Sequence, residues 1–381
     1  MNLRISFRRV KPKHWLILAV LLYFTCDYFG VLKYFQQLSY DRHFSYPYEG
    51  DVHKFAQMLK AGETPPVAPV YGHDYFLYKS PNSKCLSEDG NHYEQLRVLF
   101  LVKSALANAD KREAIRRTWG FEKRFSDVPI RTVFLLGHSP HDVRLQAQVE
   151  AESQLHGDIV QGNFVDTYFN NTVKTAMGLR WAVETCPKSR FYMFVDDDYY
   201  VSTRNLLRYL RNPLNYPGYL QEDVISFDEN DMKNQFQQSG RHLNQLVDFD
   251  LPSDVRLYTG FVFSRSRPHR HKSSKWFVDL SEYPYDFWPP YVTAGAYVLS
   301  RDALVDMYFT SYYTKMFRFD DIWLGLVAKK AGLEPFHSPQ FHFYPAPYTV
   351  NYYKFVVASH GFSDPKELVR VWSQQKEAGN A

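Results

Sequence analysis

The chain has 381 residues, a length that exceeds one average domain and still permits a single large α/β core. Its formal charge is +4, but five basic residues near the amino terminus account for more than all of it. Without them the balance is 40 basic against 41 acidic residues, or −1. A nearly neutral folded part argues against a nucleic-acid-binding protein, whose basic residues lie on the binding domain itself. Repeats and low-complexity tracts are absent, which argues against a solenoid.

An apolar stretch follows the amino-terminal basic residues, which are Arg4, Arg8, Arg9, Lys11 and Lys13. Residues 15–32 are apolar with only three exceptions. Their length and flanking charge predict a single transmembrane signal anchor, with residues 1–14 as a cytoplasmic tail. A cleaved signal peptide is the alternative, and it is less favoured because no small-residue cleavage pattern follows Cys26. The rest of the chain is then expected in the lumen, as in a type II membrane protein.

The region after the predicted anchor is consistent with a luminal location. Residues 33–95 contain scattered prolines and no sustained periodicity, which predicts a stem. Cys85 and Cys186 are the only cysteines beyond the anchor, and such a pair is able to form a disulfide in an oxidising compartment. Asn170 begins an Asn-x-Thr sequon and is therefore a candidate glycosylation site.

Regular alternation of strands and helices begins at residue 96. Apolar runs predict strands over residues 96–103 and 131–136. The helical period predicts helices over residues 111–118, 142–156 and 171–185. This alternation predicts an α/β fold with a mostly parallel, doubly wound central sheet.

The most informative feature is an apolar run over residues 191–195 that ends in three adjacent carboxylates, Asp196, Asp197 and Asp198. Open α/β sheets bind ligands at the carboxyl ends of such strands. Three neighbouring negative charges repel one another unless a cation neutralises them. The triplet therefore predicts a divalent metal held by oxygen ligands, with a phosphate as the bound group. A solvated turn or a helix cap is the alternative explanation.

Two further segments differ from the regular pattern. After a helix that Ser202 is expected to cap, residues 212–254 are polar and predict a long surface insertion. Residues 265–275 are rich in arginine, lysine and histidine. A solvated loop is favoured there over a contact with phosphate or lipid head groups.

A second acidic site, Asp320 and Asp321, lies at the start of a predicted helix that Gly332 ends. One carboxylate suffices to complement the helix dipole and cap free N–H groups. The other is then available as a general base if it faces the metal site, a geometry that the sequence leaves open.

Five motifs in order now give the chain a family resemblance. They are Arg-Glu-Ala-Ile-Arg-Arg-Thr-Trp at 112–119, Asp-Thr-Tyr-Phe-Asn-Asn-Thr-Val-Lys-Thr at 166–175, the aspartate triplet, Trp-Pro-Pro-Tyr-Val-Thr-Ala-Gly at 288–295, and Asp-Asp-Ile at 320–322. From residue 96 to the carboxyl end, the sequence resembles the β1,3-glycosyltransferase family, which includes β1,3-galactosyl- and β1,3-N-acetylglucosaminyltransferases. Two departures are the aspartate at 320, where another acidic residue is usual, and the longer spacing around residues 212–254.

The resemblance implies a GT-A fold, a nucleotide-diphosphate sugar donor and a Mn²⁺ ion, with Mg²⁺ as the alternative ion. Carried over by motif, the catalytic base is Asp321. The implied metal ligands are Asp196, Asp198 and His360, with His342 as the rival histidine. The implied donor-binding residues are Arg112, Arg116, Asp166, Lys174, Asp197 and Gly295. For Arg112, Arg116 and Lys174, pairing with surface acidic residues is an equal alternative. Trp288 and Tyr291 are the residues expected to stack on the acceptor sugar.

The resemblance further implies an inverting, metal-dependent transfer of a hexosyl unit from a UDP-sugar in β1,3 linkage. N-acetylglucosamine is the favoured sugar, and a glycosphingolipid such as mannosyl-glucosyl-ceramide is the favoured acceptor. Transfer of galactose to a glycolipid or glycoprotein is the first alternative. A non-catalytic, membrane-anchored sugar-binding protein is the second. The expected location is the Golgi membrane, with the catalytic domain in the lumen and no nucleic-acid partner.

Overall fold

The computed structural model describes residues 11–45, 50–87, 89–220 and 251–381. The chain divides into two compact units. The first combines Met1–Tyr46 with Ser264–Pro290, and the second combines Pro47–Phe263 with Tyr291–Ala381. Each unit therefore contains segments that are distant in the sequence.

The first unit contains three helices: α1 (Pro12–Tyr28), α2 (Val31–Gln36) and α3 (Tyr40–His43). The predicted single helix over residues 15–32 is therefore wrong as a continuous element. Gly30 adopts a left-handed φ of 76° and its N–H bonds to the carbonyl oxygen of Asp27, which ends α1 in the way that glycine ends many helices. Within the described ranges, no helix combines the length and apolar character needed to cross a membrane.

The second unit is built on an eight-stranded sheet with the order β1-β4-β3-β2-β5-β8-β7-β9. Its strands are β1 (Leu77–Lys79), β2 (Val98–Lys103), β3 (Ile130–His138), β4 (Ile159–Val165), β5 (Phe191–Asp196), β7 (Tyr258–Phe263), β8 (Tyr291–Ser300) and β9 (Phe336–His337). A small second sheet has the order β10-β11-β6, with β6 (Tyr199–Val201), β10 (Phe341–His342) and β11 (Ala358–His360).

The α/β class predicted from the sequence is confirmed, but the central sheet is mixed rather than mostly parallel. Strands β4, β3, β2 and β5, which are adjacent in that order, run parallel to one another. Strand β8 is antiparallel to β5, β7 is antiparallel to β8, and β1 is antiparallel to β4. Strands β2 and β8 flank β5 on either side, and every residue of β2 is buried, as expected for the middle of a covered sheet.

Helices pack around this sheet, and they are α4 (Val52–Lys60), α5 (Ala109–Arg117), α6 (Val143–His156), α7 (Asn171–Thr185), α8 (Thr203–Tyr209), α9 (Arg301–Ser311), α10 (Asp320–Lys330) and α11 (Pro365–Glu377). Several ends follow local sequence signals. The side chain of Ser202 accepts a hydrogen bond from the N–H of Asn205, and Gly157 ends α6 with a φ of 60°. These predicted caps explain why the helix boundaries lie close to those expected.

The second unit also includes much of the predicted stem. Helix α4 buries Phe55 against Tyr313, with ring centroids 5.2 Å apart, and β1 extends the central sheet. The predicted boundary at residue 95 is therefore corrected, because residues 52–60 and 77–79 are elements of the second unit. Of the predicted insertion, residues 221–250 lie outside the described residues.

A disulfide joins Cys85 to Cys186 and closes a loop with a sequence separation of 101 residues. It links the segment before β2 to the end of α7, and both sulfur-bearing residues are buried. The pairing that the sequence left open is thus present in the structure.

We expect the double substitution Cys85→Ser/Cys186→Ser to lower the free energy of unfolding by about 2–4 kcal/mol, because the unfolded chain then loses a long covalent loop. Urea unfolding measured by tryptophan fluorescence tests this. Cys26→Ser is the matched control, since Cys26 is a free cysteine in α1. An unfolding midpoint that is equal in both variants would contradict the stabilising role.

Candidate active site

The site forms where the carboxyl ends of β2 and β5 meet the amino end of α10. Lys103 ends β2 and lies in register beside Asp196, which ends β5. The Nζ of Lys103 lies 3.0 Å from Oδ1 of Asp196 and 2.8 Å from Oδ2 of Asp320, and it donates to the carbonyl oxygen of Ala294 at 2.9 Å. The ammonium group therefore joins both acidic sequence motifs in one cluster.

The charges in this cluster depend on one another. Lys103 is only 4% exposed, and burial alone favours its neutral form. Against that burial, the charges of Asp196 and Asp320 raise the pKa of Lys103 above its usual value. Burial likewise raises the pKa of Asp196, and the nearby lysine charge opposes that rise. The lysine is thus held as a cation between two carboxylates.

Asp197 holds the loop that follows β2. Its Oδ2 accepts hydrogen bonds from the hydroxyl of Ser104 at 2.7 Å and from the amide of Asn108 at 2.8 Å. The Nζ of Lys111 lies 3.2 Å from Oδ1. Because both carboxylate oxygens are engaged, the structure gives Asp197 a loop-positioning role, and its predicted contact with the donor stays a prediction.

Asp198 and His360 form the part of the site that fits a metal ion. The Nε2 of His360 lies 3.2 Å from Oδ2 of Asp198. The other carboxylate oxygen of Asp198 is buried without a hydrogen-bond partner among the described residues, as is Nδ1 of His360. A carboxylate oxygen suits Mn²⁺, and an imidazole nitrogen is a ligand of first-row transition metals. The rival histidine, His342, lies buried on β10, where its ring packs against three tyrosine rings.

These two side chains are a small ligand set. In the described part of the chain, no group of three or more histidine, cysteine or acidic side chains is arranged to hold a metal ion. Asp196 is engaged with Lys103 instead. Asp198 and His360 would therefore share an ion with water and with oxygens of a bound diphosphate, as hard cations at phosphate sites commonly do.

The two aspartates of α10 have different surroundings. Asp320 is buried, and its Oδ2 accepts hydrogen bonds from Lys103 and from the hydroxyl of Thr175 at 3.2 Å. Oδ1 of Asp321 accepts a local hydrogen bond from the N–H of Ile322 at 2.8 Å. Burial and the charge of Asp320 raise the pKa of Asp321 to about 7. Neither carboxylate caps the helix as expected, because the cap position is Phe319.

The predicted donor-side arginines point to other partners. Arg112 is fully buried, and its guanidinium donates to both carboxylate oxygens of Glu152 and to carbonyl oxygens in the loop after β2. Arg116 donates to Glu152 and to Asp158. These ion pairs fix α5 against α6 and the start of β4. The structure does not bring either arginine into the aspartate cluster.

Lys174 and Asp166 pair with each other. The Nζ of Lys174 lies 2.7 Å from Oδ1 of Asp166 and donates to the carbonyl oxygen of Ser104 at 2.6 Å. Oδ2 of Asp166 accepts from the N–H of Gly137 at 2.9 Å. The pair thus borders the loop after β2, which Asp197 also contacts.

The remaining predicted residues are distributed more widely. A Cβ added at Gly295 would lie 2.1 Å from the hydroxyl oxygen of Tyr199, so the space beside this glycine is filled by a phenol. Tyr291 belongs to β8, whereas Trp288 lies in the first unit, buried with its ring centroid 4.0 Å from that of Tyr283. The amide of Asn170, the sequon residue, donates to the carbonyl oxygen of Val165.

Sequence reasoning missed the residues that hold the site together. The most important are Lys103, Ser104, Asn108 and Lys111. One signal was available for Lys103. It ends a wholly apolar strand, and open α/β sheets bind ligands at the carboxyl ends of such strands. The hydroxyl and amide side chains had no comparable signal.

Known proteins with similar sequences establish the class of enzyme. The chain is 41% identical over 366 residues to the Beta-1,3-galactosyltransferase brn of Drosophila melanogaster, with 96% of each chain covered. It is 31% identical over 306 residues to the human Beta-1,3-galactosyltransferase 1, with 80% of each covered. A Sus scrofa relative, UDP-GalNAc:beta-1,3-N-acetylgalactosaminyltransferase 1, is 29% identical over 310 residues, again with 80% of each covered. The chain is therefore a glycosyltransferase, an enzyme that transfers a hexosyl unit.

The family follows from a second comparison. The model of the Galactosyltransferase family matches residues 110–239 and 241–339, which is more than half of the chain. The chain belongs to this family.

We expect Lys103→Met to lower the free energy of unfolding by about 3–5 kcal/mol, because it leaves the buried carboxylate of Asp320 without its cation. Adding Asp320→Asn should restore part of that loss, since it removes one of the unpaired charges. Urea unfolding curves of the single and double variants measure both effects.

Lys188→Met is the matched control for this test, because Lys188 is exposed and its change should stay within about 0.5 kcal/mol. If Lys103→Met unfolds like the unchanged protein, the lysine does not hold the cluster.

Proposed function

We propose that the protein transfers a hexosyl unit from a UDP-sugar in β1,3 linkage to a glycan acceptor, with inversion at the anomeric carbon. The supporting observation is the position of Lys103 between Asp196 and Asp320. This contact brings the end of β5 and the start of α10 to one site. Asp321 is then the carboxylate that is available for proton transfer beside the metal-binding half.

The proposed reaction is a single displacement. The oxygen of an acceptor hydroxyl forms a bond to the anomeric carbon as the bond to the diphosphate oxygen breaks. The hydroxyl proton passes to the carboxylate of Asp321, whose raised pKa suits a general base near neutral pH. A metal ion at Asp198 and His360 would supply Lewis-acid stabilisation of the departing diphosphate.

Two donor sugars are candidates, galactose and N-acetylglucosamine. The sequence favoured N-acetylglucosamine, and that remains a prediction. Two of the relatives are named as galactosyltransferases and one as an N-acetylgalactosaminyltransferase. We propose UDP-galactose as the first donor to test, beside UDP-N-acetylglucosamine, with mannosyl-glucosyl-ceramide as the first glycolipid acceptor.

We also propose that the enzyme works in the lumen of the secretory pathway, held at the Golgi membrane. The disulfide between Cys85 and Cys186 supports an oxidising compartment. The apolar surface of α1 supports a membrane location, because none of its residues is buried in the protein. Glycosylation of Asn170 remains part of this proposal.

We expect transfer from at least one UDP-sugar when the purified full chain is incubated with Mn²⁺ and the glycolipid acceptor. Asp321→Asn should reduce the rate by at least about 10²-fold, because an amide cannot take the proton. In the unchanged enzyme, the rate should rise with pH and level off above about 7, since Asp321 must be deprotonated. Radiolabelled donor and a pH series of kcat/KM measure these effects.

Asp302→Asn is the control, because Asp302 is an acidic residue in the first turn of another helix, α9, and should leave transfer unchanged. Absence of transfer with every donor would contradict the enzymatic proposal and favour a sugar-binding protein. Transfer that Asp321→Asn leaves intact would contradict only the assignment of the base.

We expect Asp198→Ala and His360→Ala each to weaken Mn²⁺ binding by at least about tenfold, because each removes a direct ligand of the proposed site. Titration of Mn²⁺ in the presence of UDP, followed by electron paramagnetic resonance of the free ion, measures the affinity. His342→Gln is the control and should bind Mn²⁺ normally. Unchanged affinity in Asp198→Ala would contradict the proposed metal site.

A further inference from the structure

The basic segment at residues 264–275 folds against the carboxyl end of α1. The N–H of Lys272 donates to the carbonyl oxygen of Tyr28 at 3.0 Å, and its Nζ lies 2.7 Å from Oδ2 of Asp27. Gly30 lies so close to this segment that an added Cβ would be 2.5 Å from the carbonyl oxygen of Arg270. Two parts of the chain that are far apart in sequence are thus joined at one end of an apolar helix.

Helix α1 presents apolar side chains on every side. It has no buried residue, and Trp15, Leu22 and Phe24 are 60%, 61% and 62% exposed. A helix that is apolar all round, instead of along one stripe, requires surroundings other than water. The basic segment therefore lies at the border of a surface that favours lipid.

We define the basic collar as the exposed basic side chains of this segment together with Trp276, which follows it: Arg265, Arg267, Lys272, Lys275 and Trp276. Residues 264–275 contain no aspartate or glutamate. Arg270 is buried beneath the collar, where its guanidinium donates to the carbonyl oxygens of Val278, Tyr283 and Tyr285. The collar is thus a surface whose backbone is fixed by a buried arginine.

Aromatic rings accompany the charges of the collar. The Nζ of Lys275 lies 4.3 Å from the ring centroid of Trp276, and the guanidinium of Arg267 lies 5.3 Å from that of Tyr34. Phe29 and Phe35, which follow α1, are exposed as well. Tryptophan and tyrosine beside lysine and arginine are typical of the zone where a membrane meets water, because each side chain has an apolar body and a polar end.

We propose that the basic collar binds the phosphate groups of phospholipid head groups at the membrane surface that α1 enters. This inference rests on the proposed membrane location of the enzyme and adds a second, folded contact with the same membrane. Binding should be stronger with anionic head groups and weaker at high salt, because the attraction of basic residues to such a surface is electrostatic.

The test uses the full chain reconstituted with vesicles of phosphatidylcholine, with or without phosphatidylserine. Flotation measures whether the chain associates with lipid at all. Lipids that carry a nitroxide near the head group or near the end of the acyl chain then quench tryptophan fluorescence. Subtracting the signal of Trp276→Phe isolates Trp276. We expect head-group label to quench Trp276 at least about twofold more than the deep label, and most strongly with phosphatidylserine.

The charge variant is Arg267→Glu/Lys275→Glu, and we expect it to reduce this quenching by about twofold or more. The matched control is Arg144→Glu/Lys188→Glu, which reverses two exposed basic residues of the second unit and should leave quenching unchanged. If the chain floats but lipid labels do not quench Trp276, the collar is not a lipid contact. If inorganic phosphate changes Trp276 fluorescence as much as vesicles do, the lipid assignment is also wrong. A chain that does not float would overturn the membrane location itself, and the collar with it.

Discussion

The buried ammonium group of Lys103 constrains the rest of the site more than any other single group. A charge with 4% exposure is stable only when its partners are close and correctly placed. Its partners come from β5, from α10 and from the backbone of β8. These three elements must therefore reach their final positions together. If the acidic triplet and the second acidic pair separated, a buried charge would be left without its partner.

The loop after β2 extends this constraint beyond the contacts of Lys103. Asp197 binds the side chains of Ser104 and Asn108, while Lys174 and Arg112 donate to carbonyl oxygens of the same loop. A loop held from three directions keeps its shape when a ligand binds. Rigid support of this kind is what a transferase needs, because misplacing the reacting groups by an ångström is costly in rate.

Much of the local structure was predictable, whereas the partners of charged residues were not. Helix α7 has the bounds expected from its period, and the apolar run before the triplet is β5. Periodicity does not distinguish a buried antiparallel strand from a parallel one, so β8 and the mixed sheet were missed. Arg112 was expected near the donor because it lies in a family motif, but a sequence does not show the partner of a charge, which here is Glu152, 40 positions away.

The contact between Gly295 and Tyr199 has a consequence for how this family varies. The phenol occupies the space that any side chain at position 295 would need, and Tyr199 lies opposite His360 in the small sheet. The two positions are therefore expected to vary together. A relative with a larger residue at the first position is expected to carry a smaller one at the second, so that the strand bearing the histidine keeps its place. Correlated substitution between β8 and β6 would then record a spatial contact, while loss of either residue alone would disturb the position of His360 from a distance.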